Sequence, residues 1–209
     1  SSGRMGLALA EQAARRGAEV TLVAANVTLP APAGTRVIEV RSAAELAAAC
    51  HAEFPTCEVL LMAAAVADFR PRHPAEAKLK KDQGAPQIEL EPTEDVISAL
   101  ARVRRPDQIL VGFAAEHGER AVAYGREKLE RKGLDAVVVN DIAAPGIGFD
   151  SAHNEVTIVT AAGAGSERHV ARSEKAEVAG AVLDEVDLLI KREKDHRAIR
   201  ADAGRAARV

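Results

Sequence analysis

Residues 58–71, EVLLMAAAVADFRP, are the stretch that decides the fold class. The run from Glu58 to Ala67 is almost entirely apolar, which is typical of a strand whose two faces are both covered. It stops at an acid, a ring and a base, at Asp68, Phe69 and Arg70. In open parallel sheets, ligands bind beyond the carboxyl ends of the strands. The stretch therefore predicts a buried parallel strand that ends at a ligand site.

Apolar strand patterns alternate with helical patterns along the rest of the chain. Strands are predicted at 19–25, 35–40, 87–91, 108–116, 135–141, 154–160 and 167–172, and helices at 3–16, 42–51, 93–103, 119–132 and 173–191. This alternation predicts the α/β class, with a Rossmann-like, mostly parallel sheet flanked by helices and a small antiparallel extension. Residues 1–191 form the expected domain, whose first strand is expected upstream of Ser2. The charged tail, 192–209, is expected to be weakly structured.

Composition excludes several function classes. A net charge of −3 and a pI near 6.1 argue against a nucleic-acid-binding surface. No apolar run reaches the roughly 18 residues that a membrane span needs. Cys50 and Cys57 match neither a zinc spacing nor a disulfide framework, so a reduced, cytoplasmic compartment is expected.

Four positions near predicted strand ends have chemistry that suits a ligand, and each has a structural alternative. Asp68 suits a divalent cation or a sugar hydroxyl, or it simply forms a turn. Phe69 and Phe113 suit stacking on a base, or packing in the core. The opening SSGRMG has small residues that would let backbone N–H groups approach a phosphate, or Ser2 is an ordinary helix cap.

Lysines are concentrated in two places. The chain has 20 Arg and only 8 Lys, and three of the lysines lie in KLKK at positions 78, 80 and 81. Lys128 and Lys132 lie one helical turn apart. Clusters of this kind suit a polyphosphate or form a solvated face, and both interpretations stay open. Tyr124 and Lys128 also form a Y-x-x-x-K pattern like that of short-chain dehydrogenases, although the glycine-rich turn of that class is absent.

Six motifs taken together resemble one family. SSGRMG, AAAVADFRP, KLKK, GFAAE, KLERKGLDAVVVND and FDSAHNEVTIV occur in the order found in bacterial phosphopantothenoylcysteine synthetase, over residues 1–190. The resemblance implies a homodimeric ligase that activates 4′-phosphopantothenate with CTP and Mg²⁺ through an acyl-cytidylate. L-cysteine then displaces CMP. FMN is expected only in a decarboxylase domain fused upstream in the same polypeptide.

The resemblance also implies site residues. Lys78 is the implied catalytic, phosphate-contacting lysine, and Asp68 is the implied metal ligand. The implied nucleotide-binding residues are Ser2, Gly3, Met62, Ala63, Ala64, Asp68, Lys78, Glu94, Asp95, Val96, Ile97, Phe113, Lys128 and Lys132. Glu94 stands where the family has proline.

The family's upstream asparagine and arginine have no counterpart in these 209 residues, so impaired turnover is expected. The alternatives are a nicotinamide-dependent reductase using Tyr124 and Lys128, and a non-catalytic nucleotide-binding or assembly domain.

Overall fold

The computed structural model describes residues 2–75, 77, 79–80, 86–116, 118, 120–141, 153–161 and 167–206. In chain order the elements are α1 (Arg4–Arg15), β1 (Val20–Ala25), β2 (Thr35–Val40), α2 (Ala43–Glu53), a 3₁₀ turn (Phe54–Thr56), β3 (Val59–Met62), β4 (Phe69–Pro71), β5 (Leu90–Pro92), α3 (Val96–Val103), β6 (Ile109–Glu116), α4 (Ala121–Lys132), β7 (Ala136–Asp141), β8 (His153–Thr160), β9 (Glu167–Glu174) and α5 (Lys175–Ala206).

Three sheets are formed by the described strands. The largest has the order β3-β6-β7-β8-β9, in which β3, β6 and β7 are parallel and β8 and β9 are antiparallel to their neighbours. Strands β1 and β2 form a parallel pair, and β4 and β5 form an antiparallel ribbon. The predicted α/β, Rossmann-like architecture with a small antiparallel extension is confirmed.

Helices cover both faces of the large sheet, and two apolar clusters result. One contains α2, α3 and α4 residues against Leu110, Val137 and Val139. The other contains α1 and α5 residues against Val111 and Val138. Strands β6 and β7 alternate between the two clusters, which explains why their sequences are apolar at almost every position.

Local signals explain most helix boundaries. The Ser42 hydroxyl caps α2 by accepting a hydrogen bond from the Glu45 N–H at 3.2 Å, and the Glu45 carboxylate reaches back to accept one from the Arg41 N–H, just before the cap, at 2.8 Å. Helix α4 ends at Gly133, whose φ of 64° is the left-handed conformation that glycine adopts without strain.

Several predicted boundaries are wrong. The strand expected at 58–67 ends at Met62, because the following alanines have little preference for extended structure. Gly3, not Ser2, caps α1. Asp95, not Thr93, caps α3, since the Thr93 hydroxyl donates to the Ala67 carbonyl instead.

The C-terminal tail also differs from expectation. Helix α5 continues without a break to Ala206, through most of the segment predicted to be weakly structured. Its residues are mainly strong helix formers, and Arg197 pairs with Glu193 one turn earlier and with Asp107 outside the helix. Among the described residues, no helix is both long and apolar enough to span a bilayer.

Candidate functional site

The first turn of α1 lies at the carboxyl ends of two parallel strands. A Cβ atom added to Gly3 would lie 2.7 Å from Cγ2 of Val27, which follows β1. One added to Gly6 would lie 3.9 Å from Cβ of Ala63, which follows β3. Gly3 also has a φ of 75°. Glycine at position 3 is therefore required both by its backbone conformation and by its close approach to Val27.

This helix start suits an anion. The first helical hydrogen bond joins the Leu7 N–H to the Gly3 carbonyl at 3.0 Å, so the N–H groups of Arg4, Met5 and Gly6 precede the ladder. Gly3 has no side chain with which to cap them. Such donors, together with the positive end of the helix dipole, favour a phosphate or carboxylate.

Residues that follow β3 border the same turn. Ala63 is half-buried against the α1 side of the sheet, and Ala64 and Asp68 are exposed. The Met62 side chain packs on the opposite face, in the cluster with α2 and α3. The Asp68 carbonyl accepts a hydrogen bond from the Thr93 N–H at 2.9 Å, which joins the stretch after β3 to the stretch before α3.

Lys128 anchors α4 to the end of β6. Its Nζ donates to the Phe113 carbonyl oxygen at 2.6 Å. The half-buried Phe113 ring packs against the apolar cluster on the α1 side, against which Met5 and Ala63 also pack. Phe113 therefore belongs to the edge formed by the α1 start, whereas Lys128 reaches that edge through a backbone carbonyl.

The remaining predicted residues are engaged in contacts between helices. Lys132 Nζ lies 2.9 Å from the Asp95 carboxylate, and Glu94 lies 2.7 Å from His51. Burial opposes ionisation of Asp95, but hydrogen bonds from Lys132 and Ser98 outweigh it and hold the pKa of Asp95 below its ordinary value. Val96 and Ile97 are buried in the core, so only their backbone could reach a ligand.

The structure thus divides the predicted site. Ser2, Gly3, Ala63 and Phe113 lie at one edge, with Ala64 beside them. Two ion pairs engage the others. Lys132 of α4 pairs with Asp95, the N-cap of α3, and Glu94, one residue before it, pairs with His51 of α2. Lys78 lies outside the described residues.

Two alternative chemistries find little support in this geometry. The Tyr124 hydroxyl accepts a hydrogen bond from Arg120 at 2.7 Å, and Lys128 donates to the Phe113 carbonyl. The pair expected of a reductase is therefore engaged with other partners. Within the described residues, no three His, Cys, Asp or Glu side chains form a group that could hold a metal ion.

Two asparagines at the same edge were missed by the sequence reasoning. The Oδ1 atoms of Asn140 and Asn154 are buried, and among the described residues neither has a hydrogen-bond partner. The available signal was a polar residue directly after the apolar run VVV of β7, and another inside the alternating pattern of β8.

Comparison with known proteins shows the family of the chain. Residues 1–189 match the family described as DFP, the DNA/pantothenate metabolism flavoprotein C-terminal domain. The chain belongs to this family. A prokaryotic protein named cysteine/cysteine sulfinic acid decarboxylase is 46% identical to this DFP-family chain over 160 residues, which are 76% of the chain and 44% of that protein.

Two further similarities concern coenzyme A biosynthesis bifunctional protein CoaBC. The protein from Mycobacterium tuberculosis strain H37Rv is 41% identical over 196 residues, covering 89% of the chain and 46% of that protein. The crystal structure of the C-terminal domain of a CoaBC protein has a TM-score of 0.76 and 31% identity, covering 91% of the chain and 84% of that structure. The chain spans about half the length of the curated relatives it matches.

These descriptions correct the expected activity. The family description names a flavoprotein and one relative is named a decarboxylase, whereas neither these names nor the family description mentions a ligase, CTP or magnesium. The prediction of a CTP- and Mg²⁺-dependent phosphopantothenoylcysteine synthetase is therefore contradicted, and the reductase alternative is not favoured either. The coarser expectation, an enzyme in coenzyme A biosynthesis, remains a proposal for this chain.

The two cavities beside α4 do not fit a flavin. An isoalloxazine ring system needs a flat, largely apolar slot. Two open cavities of about 510 and 450 Å³ lie beside α4, one toward the start of β7 and one toward α3. Neither is lined by an aromatic side chain, and the first contains Arg104, Arg126 and Asp135. Phe113 lies at a different edge, so no reaction step is assigned to a flavin here.

Proposed function

We propose that the chain is the domain of a coenzyme A biosynthesis enzyme that binds a phosphorylated pantothenate derivative. The observation that carries this proposal is the first turn of α1, whose N-cap residue Gly3 makes no side-chain cap and which lies against Ala63 at the carboxyl edge of the sheet. The phosphate is proposed to bind the N–H groups of that turn, with Ser2, Gly3, Ala63, Ala64 and Phe113 bordering the ligand. The pantothenate part of the proposal is supported by the family description.

The proposed role of this domain is to bind and orient its ligand. A phosphate held by backbone donors places the rest of the molecule along the edge toward Phe113 and the end of β7. We propose that decarboxylase chemistry and the flavin belong to another segment of a longer polypeptide, since the matched relatives are about twice as long as the match. The homodimer and the cytoplasmic location stay predictions.

A thermal-shift and calorimetric series tests the proposal. 4′-Phosphopantothenate should stabilise the chain more than pantothenate or inorganic phosphate does, because a ligand that binds the native state raises its stability by mass action. Ala64→Glu should weaken this binding, because its carboxylate would repel the phosphate. Ala48→Glu, at an exposed position of α2, is the matched control and should bind normally.

The same series contains results that would refute the proposal. Stabilisation by FMN, or by CTP with Mg²⁺, without any effect of 4′-phosphopantothenate would show that the edge recognises a different ligand. Equal binding by Ala64→Glu and Ala48→Glu would move the phosphate away from the α1 edge.

A further inference from the structure

Asn140 and Asn154 are close neighbours on one face of the sheet. Asn140 lies opposite Val156 in the register of β7 and β8, so Asn154 is its diagonal neighbour, about 7–8 Å away between Cα atoms. Val138 and Val156 belong to the cluster that faces α1 and α5, and side chains two residues apart on a strand share a face. Both asparagines therefore face α1 and α5.

These two side chains lie at the edge proposed to bind the ligand. Asn154 Nδ2 lies 3.7 Å from Sδ of Met5, in the first turn of α1. Asn140 lies opposite Ala115 on β6, two residues after Phe113. The pair is thus bounded by the α1 start on one side and by the end of β6 on the other.

Within the described part of the chain, their amide oxygens are acceptors without a donor. Asn154 is 5% exposed, and its Nδ2 donates to a weak acceptor, Sδ of Met5, so this contact does nothing for the amide oxygen. Buried polar atoms are nearly always hydrogen-bonded, because an unpaired one has lost its bonds to water without replacement. Neighbouring positions on this face are filled by Val138, Val156 and Ile158. Two amides among aliphatic side chains weaken the fold unless donors reach them.

We propose that Asn140 and Asn154 form a paired acceptor site for the hydroxyl and amide N–H groups of the pantothenate chain. This inference rests on the proposed function and assigns the part of the ligand beyond its phosphate. A carboxamide oxygen accepts hydrogen bonds only, so it suits an O–H or N–H donor and does not suit a phosphate, which has mainly acceptors at neutral pH. The ligand offers two such donors beyond its phosphate, a hydroxyl and an amide N–H, and each can be taken by one of the two acceptors.

Asn154→Leu and Asn140→Leu test the inference. Each variant should keep or raise the melting temperature of the ligand-free protein, because it removes an unpaired buried oxygen at little change in volume. Each should bind 4′-phosphopantothenate about tenfold more weakly, because a ligand donor is then left unpaired. Thr157→Val, on the opposite face of β8, is the matched control and should leave the affinity unchanged.

Ligand analogues separate this inference from the function on which it rests. An analogue lacking the pantoyl hydroxyl should bind wild type more weakly but should bind at least one leucine variant with no further loss. Wild-type affinity for 4′-phosphopantothenate with unchanged affinity in both leucine variants would overturn the acceptor site alone. No binding by wild type would overturn the proposed function and the inference with it.

Two other outcomes are decisive. A lower melting temperature in both leucine variants, with binding lost in proportion, would show that the amides serve the fold through a bound water, and would overturn the inference. If the leucine variants lose affinity for FMN and for 4′-phosphopantothenate equally, the acceptors recognise a ribityl chain as readily as pantothenate. That result would overturn the assignment to pantothenate. If Asn154→Leu does not fold, Asn140→Leu, at a less buried position, decides the question.

Discussion

The packing of α4 on β7 gives the sharpest stability prediction. Gly125 is buried in α4, and a Cβ atom added there would lie 2.3 Å from Cγ2 of Val139. An ordinary carbon–carbon contact is about 3.5 Å or more, so Gly125→Ala must push helix and strand apart by about 1.2 Å. Overpacking costs about 1–3 kcal/mol, and the contact is close enough to place this case near the upper value. Alanine regains about 1 kcal/mol of helix propensity.

We therefore expect Gly125→Ala to lower the free energy of unfolding by about 2 kcal/mol. Gly180→Ala is the matched control, because Gly180 is also helical and the nearest atom to its added Cβ, an Arg16 guanidinium nitrogen, lies 3.8 Å away. This control should raise the free energy of unfolding by about 0.5–1 kcal/mol. Urea denaturation followed by circular dichroism measures both changes.

A double-mutant cycle tests the cause. Val139→Ala alone should cost about 2 kcal/mol through lost burial and a small cavity. The double variant Gly125→Ala/Val139→Ala should lose clearly less unfolding free energy than the two single variants summed, because Val139→Ala removes the methyl group that the Cβ atom added at position 125 meets. The reasoning would be refuted if Gly125→Ala stabilised the protein as Gly180→Ala does. It would also be refuted if the losses of unfolding free energy from Gly125→Ala and Val139→Ala were additive.

Three further expectations follow from other parts of the structure. Gly3→Ala should destabilise the fold by about 2 kcal/mol, because alanine resists a positive φ and meets Val27, and the loss should shrink in a Val27→Ala background. The pKa of Asp95 is lowered from its ordinary value of 3.8, so its ionised form stabilises the fold above that pH, and this stabilisation is lost as pH falls through the lower native pKa. Lys132→Met should reduce this acid-dependent loss of unfolding free energy by at most about 1 kcal/mol. Burial, with a smaller effect from Cys57, raises the pKa of Cys50 from 9.0 to about 11, so the free energy of unfolding should fall between those pH values, and it should fall less in Cys50→Ala than in wild type. Alkylation of Cys50 should be slow at neutral pH.

Strand positions could be predicted where a strand has a distinct apolar pattern. Strands β2, β6 and β7 lie within one residue of the predicted ranges, since Val, Ile and Leu dominate them. The end of β3 could not be predicted, because the alanines after Met62 are compatible with strand, helix or loop. The length of α5 was underestimated because the search was for an apolar stripe, whereas helix propensity and the Arg197 ion pairs carry its last turns.

The candidate site was predicted less well than the fold, and the reason is visible in its contacts. Lys128 and Lys132 were expected to bind phosphate, but the partners that engage them, the Phe113 carbonyl and Asp95, lie 15 and 37 residues away in sequence. Sequence spacing along one helix cannot reveal such partners. The motifs indicated coenzyme A biosynthesis, which is also in the name of the CoaBC relatives, but the specific reaction inferred from them was contradicted.

The α1 edge and the asparagine pair make complementary demands on a ligand. The helix start offers N–H donors and a positive dipole, so it selects an acceptor-rich, anionic group. Asn140 and Asn154 offer oxygen acceptors in a buried setting, so they select neutral donors. A ligand that satisfies both must carry a phosphate at one end and hydroxyl or N–H groups farther along. Free phosphate satisfies the first demand alone, and this is why comparing it with 4′-phosphopantothenate in the leucine variants separates the two halves of the site.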